Sequence, residues 1–489
     1  MMPLGLRKSL PTSGPATGGP DASSVTAVQK MLRDARAEKE GAKANFVGRI
    51  LTHPVRAVPV AFLMVIIIGA GLLMLPVART DPDAGAWMAA LFTSVSAVCV
   101  TGLVTVDTAT FWTPFGHVVI LALIQVGGFG IMTLATLLAL LVRKSIGLRG
   151  QLVAQTETHT LNLGDVRVVL LRVAKIMFTF EAATAVILTG RFWIAYDQDP
   201  GKALWHGIFH SISAFNNAGF SVYGSNLIGF AEDPWIITPI CLAVIAGGLG
   251  FPVIIQLSRG ETSPRNWTVH LRLTIYGTLF LLIAGMALFA AFEWNRNETL
   301  GQLSFTGKIL GTFAGSVFPR TAGFNSIDYG AAAPETLMVT NILMFIGGGS
   351  AGTAGGIKIT TFLVLGFAIW NEVRGRDQVT IAHRSVSSSS QRQALSVALL
   401  GVASIVIGTM LLLIFTDYSL EKVLFESISA FGTVGMSTGI TYHLPPSAEW
   451  VLMALMFTGR IGTVTVASAL ALSARPRLYR LPEERPIIG

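Results

Sequence analysis

The most informative residues of this chain for chemistry are four glycines, each at the end of a short string that recurs along the sequence. The strings are FTSVSAVCVTGL, FHSISAFNNAGF, FAGSVFPRTAGF and FESISAFGTVGM, and in each a phenylalanine stands ten residues before the glycine. Similar segments in one register indicate an internal repeat. The four glycines are Gly102, Gly219, Gly323 and Gly435.

We interpret each string as a half-length helix followed by a non-helical return at membrane depth. Unpaired carbonyls there are costly in hydrocarbon unless they line a wet cavity. Four returns around one axis would form carbonyl rings that replace the hydration shell of a cation. Glycine permits backbone angles closed to other residues, and the negative C-termini of the half-helices favour cations. The predicted cation-binding residues are Val100, Thr101, Gly102, Asn217, Ala218, Gly219, Thr321, Ala322, Gly323, Thr433, Val434 and Gly435.

The elements that must position these returns are apolar stretches long enough to cross a membrane. Charged residues make up 13% of the chain and hydrophobic residues 52%, whereas soluble proteins carry about a quarter charged residues. A helix of roughly 20 residues crosses a hydrocarbon core of about 30 Å. We predict eight spans, near Ala57 to Val77, Gly116 to Val142, Val169 to Ile194, Trp235 to Leu257, Leu271 to Phe292, Leu337 to Val373, Leu395 to Phe415 and Trp450 to Leu472.

The predicted fold class is an all-α membrane protein with eight transmembrane helices and four re-entrant pore helices around a pseudo-four-fold pore. Four span-loop-span repeats follow a cytoplasmic N-terminal tail, residues 1–50. The repeats, each with its pore loop, are 51–150 (92–103), 151–260 (209–220), 261–385 (313–324) and 386–489 (425–436), the last with a C-terminal tail. The alternative, glycines that only let helices pack closely in lipid, does not explain four loops in one register.

Charged residues alternate along the chain in step with the predicted spans. Basic residues follow the even-numbered spans, and acidic residues predominate on the other side. The positive-inside rule therefore predicts cytoplasmic termini and acidic outer loops, which concentrate cations. The net charge of +8 thus reflects topology rather than nucleic-acid binding. Because the first apolar run starts after about 50 polar residues, we expect an uncleaved anchor in the cytoplasmic (inner) membrane.

With these features the sequence resembles the Trk/Ktr/HKT superfamily of potassium transporters, and most of all the eight-span Ktr membrane subunits, over about residues 50–489. The resemblance implies a pseudo-tetramer with one filter glycine per loop, at the four glycines named above. Some sodium-carrying plant relatives have serine at the first filter glycine, where this chain has Gly102. The resemblance therefore favours potassium.

The resemblance also implies partners. It points to K⁺ as the transported ion, to Na⁺ as an activator or a coupled ion, and to no cofactor in this chain. It implies a homodimer on a cytoplasmic ring of nucleotide-binding regulatory subunits, with basic loops near Arg149 and from Arg374 to Arg392 as docking surfaces. Ser24 to Lys43 is compatible with a short amphipathic helix.

A glycine-rich run, GGGSAGTAGG, interrupts the sixth predicted span. Each glycine costs a helix up to about 1 kcal/mol relative to alanine, so no helix should persist there. The resemblance implies a gate loop beneath the filter, held by Arg460, whose five donors suit exposed carbonyls. Arg460 paired to a neighbouring helix for packing alone is the alternative. The predicted gate residues are Gly347, Gly348, Gly349, Ser350, Gly352, Thr353, Gly355, Gly356 and Arg460.

Two acidic residues have more than one interpretation. Glu181 lies inside the third predicted span without a basic partner at helical spacing, and we favour a structural hydrogen-bonding role over a coupling-ion site. Asp107 follows the first filter glycine. It either attracts ions at the outer mouth or caps a loop, and both roles stay open.

Other function classes fit the sequence less well. A voltage-gated channel needs a span with arginine at every third position, which this chain lacks. A membrane enzyme needs a catalytic cluster, but His206 and His210 have no third ligand, and Cys99 and Cys241 have no partner at metal-ligand spacing. We therefore predict neither catalysis nor a transition-metal site. A cation-coupled secondary transporter with its substrate site at the broken sixth span is the alternative function.

Overall fold

Helices make up nearly all regular structure in the part of the chain that the structure describes. The structure is a computed structural model, and it describes residues 54–81, 87–145, 166–197, 199–258, 263–376, 378–381 and 384–462. In chain order the α-helices are α1 (Pro54–Leu73), α2 (Trp87–Val98), α3 (Thr108–Phe111), α4 (Pro114–Ser145), α5 (Val166–Phe192), α6 (Pro200–Phe215), α7 (Pro234–Leu249), α8 (Phe251–Ser258), α9 (Val269–Glu293), α10 (Phe305–Val317), α11 (Pro334–Phe345), α12 (Ile359–Val373), α13 (Ser388–Phe415), α14 (Leu420–Gly432) and α15 (Pro446–Phe457).

Four short helices, α2, α6, α10 and α14, coincide with the repeated strings, and we call them the pore helices. Each ends just before one of the four glycines. Two of them are capped by the residue before the helix: Asp199 accepts from Gly201 N at 2.9 Å, and Ser304 Oγ accepts from Gly307 N at 3.2 Å. The phenylalanines that begin three of the four strings are fully buried: Phe92, Phe209 and Phe425. Burial of these rings, together with capping, fixes the pore helices inside the helix bundle.

Longer helices surround the pore helices. By length and composition, two described helices could cross a membrane, α9 and α13, and the bent pair α7 and α8 would make a third. All eight apolar stretches contain helix where the structure describes them. The count of eight spans and the bounds of the four repeats stay predictions.

Helix breaks separate two of the predicted spans into two parts. The sixth stretch ends as helix at Phe345 and resumes at Ile359, which confirms that no helix persists through the glycine run. The fourth stretch, predicted as one continuous span, bends by 97° between α7 and α8. The bend lies at Gly250, between the two helices, whose φ of 88° ends an α-helix. The span itself stays a prediction.

Smaller features also differ from the prediction. An antiparallel pair of two-residue strands, β1 (Thr380–Ile381) and β2 (Arg384–Ser385), follows α12, so the fold is not strictly all-α. A five-residue π-helical segment, Thr458–Gly462, follows α15. The predicted N-terminal tail, its amphipathic helix, Arg149 and the C-terminal tail lie outside the described residues.

Candidate functional site

The four loops that follow the pore helices share one backbone conformation. In each, the residue two before the glycine has a positive φ although it carries a side chain, and the glycine has a positive φ too. Such angles are rare for residues with a Cβ, so their recurrence in four loops marks a common structure. The φ values are 56° and 93° for Val100 and Gly102, 58° and 70° for Asn217 and Gly219, 73° and 73° for Thr321 and Gly323, and 48° and 96° for Thr433 and Gly435.

The four glycines, which we call the filter glycines, form a closed ring. A Cβ placed on each would strike the main-chain carbonyl oxygen of the residue before the glycine in the next loop. The contact runs from the first loop to the second, third and fourth and back to the first, so all four loops meet at one axis. The carbonyl oxygens that these Cβ atoms would meet belong, in that order, to Ala218, Ala322, Val434 and Thr101.

Side chains at the filter glycines would therefore fill the ring. Even the least crowded, Gly219, would place a Cβ 2.7 Å from the Ala322 oxygen and from Gly323 Cα, closer than real Cβ contacts come. A Cβ on Gly323 would lie 3.1 Å from Thr101 O, which belongs to the loop opposite. The structure thus brings all twelve predicted filter residues together, and their role in binding K⁺ stays a prediction.

Three of the loops are tied to their pore helices in the same way, and the third loop differs. In loops one, two and four, the residue before the glycine donates its N–H to a serine carbonyl five residues earlier. In loop three the residue before the glycine donates its N–H to the carbonyl of Phe318, only four residues earlier. The next residue, Pro319, has no N–H of its own. The bonds are Thr101 N to Ser96 O (2.8 Å), Ala218 N to Ser213 O (2.7 Å), Val434 N to Ser429 O (2.8 Å) and Ala322 N to Phe318 O (3.0 Å).

A cavity of about 210 Å³ opens directly above the ring, and we call it the vestibule. All four filter glycines line it, as do Asp107, Asp328 and Tyr442. Asp107 also caps α3, accepting from Ala109 N at 3.0 Å, which confirms the capping role, and its attraction of ions at the mouth stays a prediction. Burial, and then the nearby Asp107, raise the pKa of the Tyr442 phenol. Tyr442 is therefore neutral at pH 7, and the vestibule charge comes from carboxylates.

The glycine-rich run, residues 347–356, lies against the other end of the filter loops, and we call it the gate loop. Thr353 Oγ1 is 3.2 Å from Phe215 O, at the end of the second pore helix, and 3.1 Å from the side-chain amide of Asn217. A Cβ on Gly355 would meet Gly432 O at 2.9 Å, at the end of the fourth pore helix. The gate loop therefore contacts two opposite loops on the side away from the vestibule.

Main-chain hydrogen bonds order the gate loop in a protein-lined setting. Gly349 N donates to Gly248 O at 2.7 Å, and Thr353 N donates to Gly247 O at 3.2 Å. Both acceptors are in the last turn of α7, whose carbonyls have no partner within the helix. The polar atoms at the break are thus used by the protein itself, which leaves less reason to place a substrate there, as the secondary-transporter alternative requires.

Arg460 makes the contact with the gate loop that the sequence predicted. Its guanidinium donates to Thr353 O and lies 3.5 Å from Gly127 O of α4. The side chain is 2% exposed, so its charge is withdrawn from solvent. Arg460 lies in the π-helical segment after α15, whose irregular turn places the side chain toward the loop. The contact is confirmed, and its gating role stays a prediction.

Two further basic residues near the filter were missed in the sequence, of which Arg320 is buried. Lys358 follows the gate loop and donates through Nζ to Ala354 O. Arg320 precedes the third filter segment, is 7% exposed, and places a guanidinium nitrogen 3.3 Å from Thr278 Oγ1. The signal for Arg320 was present, since it stands inside the repeated string where the other strings have Cys99, Asn216 and Gly432.

Glu181 lies in a polar network behind the second loop. Its carboxylate accepts from Gln125 Nε2 at 3.0 Å and from Asn216 Nδ2 at 2.9 Å. Asn216 stands three residues before Gly219, so Glu181 supports the base of that loop. Glu181 therefore makes the hydrogen bonds that a structural role requires, and the choice between that role and a coupling-ion site stays a prediction.

The remaining candidates form hydrogen bonds of a structural kind. His206 Nδ1 is 2.9 Å from Asp197 Oδ2, and His210 Nε2 is 2.9 Å from Ser221 Oγ. Cys99 and Cys241 are buried as free thiols. Within the described residues, no group of three or more histidine, cysteine, aspartate or glutamate side chains is placed to hold a metal ion.

Comparison with known proteins gives consistent matches over most of the chain. A sequence model of the TrkH family, described as cation transport protein, matches residues 49–475. Ktr system potassium uptake protein B of Bacillus subtilis (strain 168) is 37% identical over 440 residues, which cover 89% of this chain and 97% of that protein. Potassium/sodium uptake protein NtpJ of Enterococcus hirae is 33% identical over 445 residues, with 89% and 97% covered.

A solved structure has the same fold. The crystal structure of the potassium transporter TrkH from Vibrio parahaemolyticus matches with a TM-score of 0.63 and 18% identity, and the match covers 86% of each chain. At this identity the likeness concerns the fold alone. The ring, the vestibule and the gate loop are therefore argued from the residues of this chain.

Proposed function

The chain belongs to the TrkH family of cation transport proteins and is an integral membrane protein, and we propose that it takes up K⁺ through the ring of filter glycines. The resemblance stated from the sequence is thereby confirmed, and the family is one of transporters rather than enzymes. The observation that carries the proposal is the closed ring, in which each filter glycine faces the carbonyl oxygen of the next loop.

The ring supports cation passage for physical reasons. A cation loses its water only where several oxygens replace it at once, and four loops can supply carbonyl oxygens at each level. The pore helices end at the ring, so their partly negative C-termini point toward the ion. Asp107 and Asp328 in the vestibule raise the local cation concentration above it. Together these features favour a monovalent cation over an anion.

The gate loop and Arg460 are proposed to close this path. The loop lies across the inner end of the filter, and Arg460 places a buried positive charge beside it. Lys358 adds a second cation next to the loop. A fixed positive charge beside the ion path raises the barrier for K⁺. Opening therefore requires that the gate loop and the Arg460 side chain separate or move together.

The assembly around this pore is proposed from the relatives. Three relatives are named as parts of a Ktr system and one as a potassium/sodium uptake protein. A system implies a partner subunit, and the potassium/sodium name suggests Na⁺ as an activator or coupled ion. The homodimer and the nucleotide-binding nature of the cytoplasmic regulatory subunit are proposed from the family resemblance. The four repeats would be arranged with both termini in the cytoplasm. Arg374, on the proposed docking face, stacks over Trp370 at 4.4 Å.

Flux measurements in liposomes test the proposal. The purified chain should conduct K⁺ in preference to Na⁺, and Gly435→Ser should reduce that preference because a side chain enters the ring. Gly366→Ser is the matched control, since a Cβ at Gly366 of α12 meets no atom within 4 Å. Equal K⁺ and Na⁺ fluxes in the unaltered chain, or no flux of either, would refute the proposal.

A further inference from the structure

Glu426 is a buried carboxylate in the fourth pore helix that the proposed function has not used. It stands one residue after Phe425 and is 0% exposed. Oε1 accepts from Ser437 Oγ at 2.7 Å and from Thr438 N at 2.9 Å, and Oε2 accepts from Thr441 Oγ1 at 2.7 Å. Burying a carboxylate is costly unless it is fully hydrogen-bonded. Its position therefore needs a reason.

The donors to Glu426 all come from the segment that leaves the filter. Ser437 and Thr438 are the second and third residues after Gly435, and Ser437 lines the vestibule. The carboxylate thus connects the outer limb of the fourth loop to the pore helix that precedes the same loop. On the inner side, Val434 N and Gly435 N are already bonded to Ser429. The filter segment is held at both ends.

The second loop has the same connection at the same register. His210 stands one residue after Phe209, and its Nε2 is 2.9 Å from Ser221 Oγ, two residues after Gly219. His210 is also 0% exposed. These two pairs, His210 with Ser221 and Glu426 with Ser437, belong to opposite loops of the ring.

The first and third loops have no such connection among the described residues. At the position of Glu426 they carry Thr93, whose buried hydroxyl has no hydrogen-bond partner, and Ala314. Two opposite loops are therefore braced by polar side chains and the other two are not. A histidine in one loop and a glutamate in the other bond the serine two residues after the filter glycine. We call this bond between pore helix and outer limb the brace, and it is what the two loops have in common.

We propose that Glu426 is a positioning residue for ion selectivity. It holds the main chain after Gly435 so that the carbonyl ring fits K⁺ and does not contract around the smaller Na⁺. His210 has the same role in the opposite loop with a single bond. The inference rests on the proposed function, because it concerns the selectivity of the same ring. Without the brace the ring is free to close, and Na⁺ passes more readily.

The test compares Glu426→Ala and Glu426→Gln in liposomes, with K⁺ and Na⁺ uptake measured separately. We expect the alanine variant to lower the ratio of K⁺ to Na⁺ flux at least about tenfold, which corresponds to about 1.4 kcal/mol. Glutamine keeps one oxygen for Ser437 and Thr438, so Glu426→Gln should stay within about threefold of the unaltered chain. Ser437→Ala removes one of the bonds to Glu426, together with the contacts of Ser437 Oγ to Gly439 N and Thr441 Oγ1, and covers the case that Glu426→Ala does not fold.

Glu293→Ala is the matched control. Glu293 is equally buried, and it accepts from Ala333 N at 2.9 Å and from Thr336 Oγ1 at 2.5 Å, away from the filter. A general folding defect should lower both fluxes in the Glu293 variant and leave their ratio unchanged. The inference is wrong if Glu426→Ala, or Ser437→Ala in its place, keeps the original ratio. A chain that shows no K⁺ flux before mutation would instead contradict the proposed function.

Discussion

The filter loops and the gate loop both depend on glycine, but glycine is distributed differently in the two regions. Glycine recurs once in each of four filter loops, with the same positive φ and the same contact to the next loop. In the gate loop, glycines are concentrated in one segment of the third repeat, and its bonds go to single partners such as Gly248 and Arg460. In the proposed function, the ion site takes contributions from every side of the axis, whereas one segment closes it.

The two regions also differ in what holds them. Filter loops are fixed by a close approach of each main chain to the next that repeats around the ring, and also by hydrogen bonds to their own pore helices. The gate loop is fixed by separate hydrogen bonds, each worth about 1 kcal/mol net. A structure of the second kind can open locally while the first stays in place.

Replacement of any one of the four filter glycines by alanine should change K⁺ flux the most. The added Cβ strikes a carbonyl of the next loop, and φ is positive, so we expect K⁺ flux to fall about 100-fold, equivalent to about 2.7 kcal/mol in the barrier. Tracer uptake in liposomes measures this. The four single variants, Gly102→Ala, Gly219→Ala, Gly323→Ala and Gly435→Ala, should be alike within about one order of magnitude because the ring is closed.

Gly366→Ala serves as control for these variants, since its Cβ enters open space. If one filter glycine tolerates alanine while the other three do not, the ring is not the common site, and the comparison with the gate loop fails.

Removal of the Arg460 side chain should raise K⁺ flux, whereas alanine at a filter glycine lowers it. Arg460→Ala deletes the bond to Thr353 O and the buried charge, and K⁺ flux should rise about tenfold, or about 1.4 kcal/mol in the barrier. Deletion of part of the run from Gly347 to Gly356 should act in the same direction. Flux through proteoliposomes, without any regulatory subunit, measures both.

Arg374→Ala is the corresponding control, because Arg374 is an exposed cation that stacks on Trp370 outside the pore. Unchanged flux in both the Arg460 and the shortened-loop variants would remove gating from the function of this loop.

Glu181→Gln should have the smallest effect. One of the two hydrogen bonds, to Gln125 or to Asn216, is weakened, so the free energy of unfolding should fall by about 1 kcal/mol. K⁺ flux and its dependence on Na⁺ should stay close to the original values, as thermal unfolding and uptake at several Na⁺ concentrations would show. A strong loss of the Na⁺ dependence would favour the coupling-ion interpretation over the structural one.

Much of the filter could be predicted because it is repeated. Four strings in one register fixed which glycines lie at the ring, and the glycine run fixed where the sixth helix breaks. The positive φ at Val100, Asn217, Thr321 and Thr433 could not be predicted, since none of these residue types requires it. Close packing of the loops imposes that conformation, and packing is not visible in a single string.

Other parts were missed for specific physical reasons. The bend at Gly250 had a sequence signal, GGLGFP, but hydropathy averaged over the stretch concealed it. The carboxylate of Glu426 looked like an ordinary polar residue of a repeated string. Only the folded chain shows that Ser437 and Thr438 return to it.

The bend between α7 and α8 has a consequence for how the pore becomes wet. Gly247 O and Gly248 O, freed where α7 ends, are bonded to the N–H groups of Thr353 and Gly349, so two interrupted helices supply each other's missing partners. If the gate loop swings away, both carbonyls and both amides lose these partners at once. Water must then enter from the side of the ring away from the vestibule to take their place, so hydration of that side and opening of the proposed ion path are one event.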